Sequence, residues 1–420
     1  MSTAARPVPT RQPVRPTPAP GHVREPSRAP ARALGFAAVT LLMALAACSP
    51  AAPGAADVTA AAHGDPRPAA ATSAHELTRA DVDAWLEETI PDALADGNIA
   101  GASVAVVHDG GVVSTRGFGR SDVAAGTDVD PELTLFRVGS VSKLVTATAV
   151  LQLVDSGQVE LDTDVEQYTG LGLGPEHPVT LRHLLTHTAG FEECVAGLIG
   201  SGDAPPDLRA SLITDPPEQA YPPGTTPAYS NYGNALAGYV VEAVSGQPFE
   251  DYVQQNILTP AEMSSSSFLQ PLRADLADRV ALGYPTADAE PLPFETVGQP
   301  PAGALSATAD DMARFMLAHL GAPLDGRQLL TGPTRTLMQQ PALDETQLGA
   351  LAAGPRMGLG WFDESRNGHR VVGHGGDTQV FHSHLQLWPD EATGGVPLPQ
   401  QHRHRRRGLP PARGAARRVR

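Results

Sequence analysis

Residues 136–155 read FRVGSVSKLVTATAVLQLVD. From residue 141 onward, apolar residues recur at helical spacing and Gly157 ends the pattern, which predicts a helix over residues 141–155. Ser140 therefore lies where the helix begins, and backbone N–H groups at a helix start point towards an anion. Because positions i and i+3 share one helix face, the Ser140 hydroxyl and the Lys143 amine can meet. These two residues are the predicted nucleophile and its base.

Lys143 is the only lysine in the chain, which uses arginine at its other 29 basic positions. Arg keeps its proton in a protein, whereas a buried Lys can lose it. The single Lys is thus a candidate for a task that needs a neutral amine, such as accepting a serine proton. The alternative is a lysine that survived by chance in an Arg-biased chain.

A second candidate segment is Tyr229-Ser230-Asn231, predicted to lie in a loop before a helix over residues 234–245. A phenol near a nucleophile can relay protons to a leaving group, and an Asn amide can hold a substrate amide. The same spacing recurs at Tyr232 and Asn234, but Tyr232 is expected to pack because it opens the helix. The alternative is a buried Tyr beside a capping Asn.

A third candidate segment is His374-Gly375-Gly376, which follows a predicted strand over residues 370–373. Paired glycines let a substrate come close to the backbone. The alternative is an ordinary Gly-rich turn.

The elements on either side of these segments predict the fold class. A helix over residues 75–96 precedes β-rich runs at 102–108 and 112–119, which an Asp-Gly turn joins into a hairpin. Helices are predicted over residues 181–188, 234–245, 249–257 and 309–320, and strands over 358–362, 370–373 and 380–388. This order predicts an α/β (α+β) domain with one antiparallel sheet built from both chain ends. The predicted domain covers residues 75–400, with sheet parts 75–158 and 350–400 around a mostly helical insertion, 159–349.

Charge is distributed unevenly along the chain. The formal net charge is -16, yet residues 1–33 hold six Arg and residues 403–420 hold eight. Between them, 16 basic residues face 45 acidic ones. This strongly acidic middle argues against a nucleic acid partner.

The N-terminal 48 residues are predicted to be an export signal. The apolar run 33–47 is too short to span a membrane and fits a signal-peptide core. Leu45-Ala46-Ala47-Cys48 resembles a bacterial lipobox, which implies lipid attachment at Cys48 and a disordered tether over residues 49–74. We expect an exported lipoprotein on the extracellular side of the cell membrane, or a secreted protein if Cys48 is incidental.

Taken together, the three segments resemble the motifs of the penicillin-recognising serine hydrolases. The Tyr-x-Asn motif is similar to that of class C β-lactamases, D-alanyl-D-alanine carboxypeptidases, D-aminopeptidases and related esterases. Further similar stretches are LLTHTAG at 184–190, PG at 223–224 and PAGAL at 301–305. The resemblance covers residues 75–391 and implies a β-lactamase/transpeptidase-like fold.

The resemblance also implies roles for the residues that match the motifs. Ser140 would be acylated, Lys143 would be its base and Tyr229 would assist proton transfer. Asn231 would contact the acyl-side amide of the substrate, and His374 and Gly376 would line the site. The N–H groups of Ser140 and Asp377 would form the oxyanion hole. The implied reaction is hydrolysis of an amide or ester through an acyl-enzyme, and it needs no metal or cofactor.

One departure from the family lies in the third motif, which begins with His374 where the β-lactamases have Lys. A neutral imidazole gives a substrate carboxylate no fixed positive charge. The sequence therefore predicts peptidase-like or esterase-like chemistry with weak β-lactamase activity.

A second departure is the chain end. After residue 391 the family continues with a hydrophobic strand and a helix, whereas here Pro397 and Pro399 precede an Arg-rich tail over residues 401–420. We expect the strand to be lost and the sheet to be split, through a frameshift near Gly394. The alternative is a genuine basic tail that binds anionic polymers or lipid headgroups; the other reading frames of the gene distinguish the two.

Three further hypotheses remain. The protein could be a binding module that is acylated without turnover. It could be a product that does not fold. It could also hold a metal through His369, His374, His382 and His384, although no acidic partners are evident in the sequence.

Overall fold

The computed structural model describes residues 77–193, 197–201, 207–343 and 356–400. The proposed lipidation site Cys48, the tether 49–74 and the tail 401–420 lie outside these ranges. Among the helices that the structure describes, none combines the length and the apolar character that crossing a membrane requires.

Eight strands form one antiparallel sheet in the order β3-β2-β1-β12-β11-β10-β9-β8. The early strands are β1 (Gly101–His108), β2 (Gly111–Asp122) and β3 (Thr127–Asp128). The late strands are β8 (Arg356–Met357), β9 (Phe362–Asp363), β10 (Val372–Asp377), β11 (His382–Trp388) and β12 (Thr393–Pro399). The prediction of one antiparallel sheet made from both chain ends is confirmed. Two small two-stranded sheets pair β4 (Phe136–Arg137) with β7 (Ser306–Ala307), and β5 (Ile199–Ser201) with β6 (Glu295–Val297).

One helix precedes the early strands, and the other α-helices that the structure describes lie between the early and the late strands. They are α1 (Arg79–Gly97), α2 (Ser142–Asp155), α3 (Glu166–Thr169), α4 (Leu181–Leu185), α5 (Leu208–Thr214), α6 (Asn231–Ser245), α7 (Phe249–Val253), α8 (Ala274–Ala277), α9 (Pro300–Gly303), α10 (Ala309–Leu320) and α11 (Gly332–Gln339). A π-helical turn, Gln254–Leu258, continues α7. The predicted helix over residues 309–320 has the predicted bounds, because Thr308 caps its start and Gly321 ends it with φ +98°.

Both faces of the β1 region of the sheet are covered. On one face, Leu86 and Ile90 of α1 pack with Ala102 and Val104 of β1. On the other face, Ala105 and Val107 join the main core, where α10 contacts β1 and β12. The alternation of buried side chains along β1 therefore serves two hydrophobic layers.

The expected loss of the last strand is wrong. β12 lies between β1 and β11, with Val396 opposite Ala105 and Gly395 opposite Gln386. The sequence does have an apolar period at this point, because Val396 and Leu398 alternate inward and are both fully buried. The sheet is continuous, so no frameshift is needed before residue 400 to explain it.

The two prolines fit β12 because of their position in the ladder. The N–H of Gln400 donates to the Gly101 carbonyl at 3.0 Å, so the even-numbered positions of β12 point their N–H groups towards β1. Positions 397 and 399 point the other way. On that side the continuous pairing of β12 with β11 stops at Gly395, and the next antiparallel bridge joins Phe381 to Gln400, so positions 396–399 are unpaired on that side. The N–H groups that Pro397 and Pro399 lack would therefore face the side of β12 where no hydrogen bond to β11 has to be made.

Three other local predictions need correction. In place of the predicted strand over residues 358–362, residues 358–361 form a tight connection between β8 and β9, and only Phe362 lies in a strand. Asn231 is the first residue of α6, with Ser230 as its cap, so the second motif runs into the helix. His374-Gly375-Gly376 lies inside β10 and is not a turn after it.

Leu398→Ala tests whether β12 completes the core. Leu398 is fully buried, so its truncation should lower the free energy of unfolding by about 3 kcal/mol, measured by urea denaturation. Leu133→Ala is the matched control, because Leu133 is 54% exposed and its truncation should cost at most about 0.5 kcal/mol. Equal effects of the two substitutions would contradict the position of β12.

Candidate active site

Ser140 lies in a turn that joins β4 to α2. Residues Gly139–Val141 form one 3₁₀ turn, and α2 follows from Ser142. Gly139 has φ +52°, a conformation that other residues adopt only with strain. The Ser142 hydroxyl locks the turn, since it donates to the Gly139 carbonyl at 2.6 Å and accepts from the Leu305 N–H at 3.0 Å. The half-buried Ser140 side chain is thereby held at the start of the helix, as the sequence predicts.

Lys143 is buried at the centre of the site with its Nζ surrounded by oxygen atoms. Nζ lies 3.0 Å from Ser140 Oγ, 2.6 Å from Asn231 Oδ1 and 2.6 Å from the Ala302 carbonyl oxygen. The side chain has no exposed surface. Burial lowers its pKa from 10.5 to about 7, although the negative charge of Glu193 acts in the opposite direction. A substantial fraction of Lys143 is therefore a neutral amine at neutral pH.

Tyr229 lies beside both residues. Its ring centroid is 5.0 Å from Lys143 Nζ, and Ser140 is among the groups that influence its pKa. The residue as a whole is 36% exposed, but the surroundings of its hydroxyl are largely shielded from water. Loss of hydration there raises the pKa of the phenol, against the smaller lowering by Ser140. Tyr229 is thus a protonated hydrogen-bond donor near neutral pH.

His187 holds the Tyr229 segment in place. Its carbonyl accepts from the Ala228 N–H at 2.7 Å, and its Nδ1 accepts from the Ser230 N–H at 3.2 Å. Its ring packs on the Tyr229 ring with centroids 4.4 Å apart. Burial, followed by the nearby charge of Lys143, lowers the pKa of His187 well below its usual value. Sequence reasoning could not assign this contact to His187, because the LLTHTAG stretch is far from Tyr229 along the chain.

Asn231 links Lys143 to an acidic residue. Its Oδ1 accepts from Lys143, while its Nδ2 donates to Glu193 Oε1 at 2.9 Å and its backbone N–H donates to Glu193 Oε2 at 2.7 Å. Both ends of the amide are therefore occupied by protein groups. Sequence reasoning missed Glu193, since nothing in its neighbourhood separates it from the adjacent Glu192.

His374 projects from β10 into the same region. Its ring lies 6.3 Å from that of Tyr229 and 5.1 Å from that of Phe362, and the residue is only 2% exposed. Its Nδ1 donates to the Gly375 carbonyl at 2.6 Å, since a carbonyl oxygen can only accept. Burial, with a smaller effect of Lys143, lowers the pKa of His374 to about 3, so the ring is neutral.

The backbones of the first and third motifs are in contact. A Cβ built on Gly139 would lie 2.8 Å from the Asp377 nitrogen, and one built on Gly376 would lie 3.0 Å from the Ser140 nitrogen. The two predicted oxyanion-hole residues are thus adjacent. Asp377 also contacts the β11 residue His382, whose Nδ1 is 2.6 Å from Asp377 Oδ1.

The four histidines of the metal hypothesis are separated. Contrary to the sequence-based view that they lack acidic partners, three pair with carboxylates: His369 with Glu391, His382 with Asp377 and His384 with Glu364. Each of these is a single pair. Within the described ranges, no group of three or more potential ligands could hold a metal ion.

The fold and the Ser-Lys-Tyr cluster define a serine hydrolase of the penicillin-recognising superfamily. A family model described as Beta-lactamase matches residues 86–416, and the chain belongs to that family.

Similar proteins agree with this assignment. Penicillin-binding protein 4 of Amycolatopsis lactamdurans is 33% identical over 312 residues, which cover 70% of this chain and 78% of that protein. Protein flp of Staphylococcus aureus is 25% identical over 74% of this chain, which spans 62% of the length of flp.

Solved structures share the fold. The octameric penicillin-binding protein homologue from Pyrococcus abyssi has a TM-score of 0.64 at 26% identity, over 76% of this chain and 73% of that one. A class C β-lactamase has a TM-score of 0.64 at 22% identity, over 79% of this chain and 96% of that one.

The two glycines of the third motif provide a test of the backbone contact. In Gly376→Ala, the new Cβ would lie 2.0 Å from the Val138 carbonyl oxygen, so β10 must move away from Ser140. We expect acylation of Ser140 by a reactive acyl probe to slow by about a hundredfold, as when an oxyanion donor is lost.

Gly375→Ala is the control for this test. A Cβ at Gly375 meets nothing closer than the Ser383 carbonyl oxygen at 3.9 Å, so the acylation rate should stay near that of the wild type. Equal rates for the two variants, measured by mass spectrometry, would contradict the close approach of the two backbones.

Proposed function

We propose that the protein hydrolyses amide or ester bonds through an acyl-enzyme on Ser140, as a D,D-peptidase-like or esterase-like enzyme with weak activity on β-lactams. The contact between Lys143 Nζ and Ser140 Oγ at 3.0 Å carries this proposal. The fold, the family and the relatives named as penicillin-binding proteins support it.

The donor count around Lys143 supports its role as the base. A neutral amine has two N–H groups and one lone pair. The Asn231 and Ala302 oxygens can accept only, and each lies 2.6 Å from Nζ, so they take the two N–H groups. The lone pair then points to Ser140 Oγ, the remaining neighbour.

The reaction follows from this arrangement. Lys143 accepts the Ser140 proton while Oγ attacks the carbonyl carbon of the substrate, and the N–H groups of Ser140 and Asp377 stabilise the developing oxyanion. Tyr229 passes a proton to the departing amine or alkoxide and regains one from Lys143. Water then attacks the acyl carbon, Lys143 and Tyr229 take its proton and return one to Ser140 Oγ as the bond between Oγ and the acyl carbon breaks, and the acid product leaves.

The neutrality of His374 supports the preference among substrates. A β-lactam carries a carboxylate, and an imidazole with a pKa of about 3 gives it no cationic partner. Its Nε2 carries no proton, because Nδ1 holds the ring proton for the Gly375 carbonyl. Nε2 can therefore accept a hydrogen bond but cannot donate one to a carboxylate. Substrates without a carboxylate near the scissile bond, such as simple esters, do not need a cationic partner at this position.

Intact-mass labelling of residues 49–420 tests the proposal, with penicillin and an activated ester as parallel probes. We expect one acyl adduct from each probe, formed faster with the ester. In Ser140→Ala the adduct should be absent. Failure of both probes to label the wild type would contradict the proposal, and an adduct that never hydrolyses would favour the binding-module hypothesis.

The acylation rate should also depend on pH through Lys143. Only the neutral amine can accept the serine proton, and the folded-state pKa is about 7. The rate should therefore rise with pH, be half-maximal near pH 7 and level off above it. Stopped-flow measurements of the acylation rate with the ester probe at a series of pH values give this rising part of the pH–rate profile. A half-maximal pH near 10, the ordinary value for Lys, would contradict the role of the buried amine.

Export and lipid attachment at Cys48 remain proposals that rest on the sequence. Labelling of the membrane fraction with a radioactive fatty acid would test them, because Cys48→Ser should abolish it.

A further inference from the structure

Glu193 contacts the site without contacting the reacting atoms. Its two carboxylate oxygens accept separately from the Asn231 backbone N–H at 2.7 Å and from Nδ2 at 2.9 Å. Asn231 in turn lies 2.6 Å from Lys143 Nζ. Glu193 is thus connected to the base through a single side-chain amide.

The orientation of that amide decides what Lys143 can do. An Asn amide has an accepting oxygen and a donating NH₂ group, and either could face Lys143. With the oxygen towards Nζ, the amine uses an N–H and keeps its lone pair for Ser140. With NH₂ towards Nζ, the lone pair would accept from Asn231 and would no longer be available for the Ser140 proton.

An ionised carboxylate selects between these two orientations. It can only accept hydrogen bonds, so it requires Nδ2 on its own side and leaves Oδ1 for Lys143. The second oxygen, bound to the Asn231 backbone N–H, fixes the carboxylate relative to the first turn of α6.

We propose that Glu193 is a positioning residue for acylation, which holds the Asn231 amide so that the Lys143 lone pair stays directed at Ser140. This inference rests on the proposed function of Ser140 and Lys143, but its consequences for Lys143 can be measured without catalysis.

Glu193→Gln is the informative substitution, because Gln has the shape of Glu but replaces one of the two acceptor oxygens with a donor NH₂ group. The Gln oxygen can accept from the Asn231 backbone N–H, while its NH₂ donates to Asn231 Oδ1. The Asn231 amide would then turn its NH₂ to Lys143. We expect acylation by the activated ester to slow by about tenfold, which corresponds to the free-energy contribution of one hydrogen bond to a charged group.

The substitution should also change the protonation of Lys143. Glu193 raises the Lys143 pKa, and a donating Nδ2 would further favour the neutral amine. The other titratable groups facing Nζ in the described structure are Tyr229, His187 and His374, all neutral near pH 7. Loss of the carboxylate should therefore lower the Lys143 midpoint.

The single lysine makes this midpoint directly measurable. Lysine labelled with ¹³C at Cε gives one signal from the whole chain, and its chemical shift follows protonation during an NMR titration. We expect a midpoint near pH 7 in the wild type and a lower one in Glu193→Gln. Glu193→Asp, which keeps an acceptor-only charge, should stay near the wild-type midpoint, and Glu192→Gln controls for loss of an acid at the adjacent position.

The outcomes separate the two claims. A wild type that is not acylated refutes the proposed function, while the titration still tests Glu193. If the Lys143 titration midpoint in Glu193→Gln is the same as in the wild type, the positioning role of Glu193 is overturned. A lower acylation rate with an unmoved midpoint also overturns it, because general structural damage would give that result. If Glu193→Gln does not fold, a shifted midpoint in folded Glu193→Asp overturns the proposal and an unshifted one supports it.

Discussion

The rest of the structure depends on the burial of one amine. Lys143 has no exposed surface, so its charged form loses hydration that three neighbouring oxygen atoms replace only in part. The compensation comes from elements far apart in sequence: Ser140 from the turn before α2, Asn231 from α6 and Ala302 from α9. The amine is stable in this position only when all three elements are assembled. The site is therefore a product of the whole fold, although its first motif is four residues long.

The sheet supplies the other half of the site. β10 brings His374 and the Asp377 backbone to the region of Ser140. Its position depends on the neighbouring strands, because β11 and β12 lie between β10 and the hairpin strand β1 in the sheet. The contact is tight on both sides, as Gly139 leaves no room for a Cβ beside Asp377 and Gly376 leaves none beside Val138. A gap in the sheet at β12 would separate the N-terminal hairpin from the strand that lines the site. The completeness of β12 is thus a condition for the alignment of β10 with α2.

Sequence reasoning could predict features set by local patterns. The helical period after Ser140, the Asp-Gly hairpin turn and the capped helix α10 each depend on neighbours within a few residues. It failed for β12, because Pro397 and Pro399 were judged without knowing which side of the strand their missing N–H groups would face. It also failed to find Glu193 and the Ala302 carbonyl. Glu193 has no distinctive residue type or spacing, and the PAGAL stretch that contains Ala302 indicated the family but not the contact of its carbonyl with Lys143. Each residue gains its role only when distant segments come together.

The charges around the amine limit what the site can accept. Close to Nζ, one full negative charge comes from Glu193, while His187 and His374 are kept neutral by burial. Had either histidine been protonated, its charge would oppose protonation of Lys143 and would also attract anionic substrates. The same burial that keeps the imidazoles neutral also lowers the pKa of Lys143 to about 7, against the opposing effect of the Glu193 charge. It also leaves neither imidazole with a positive charge that could attract a substrate carboxylate, so the lowered pKa of the base and the neutrality of His187 and His374 have a common physical origin.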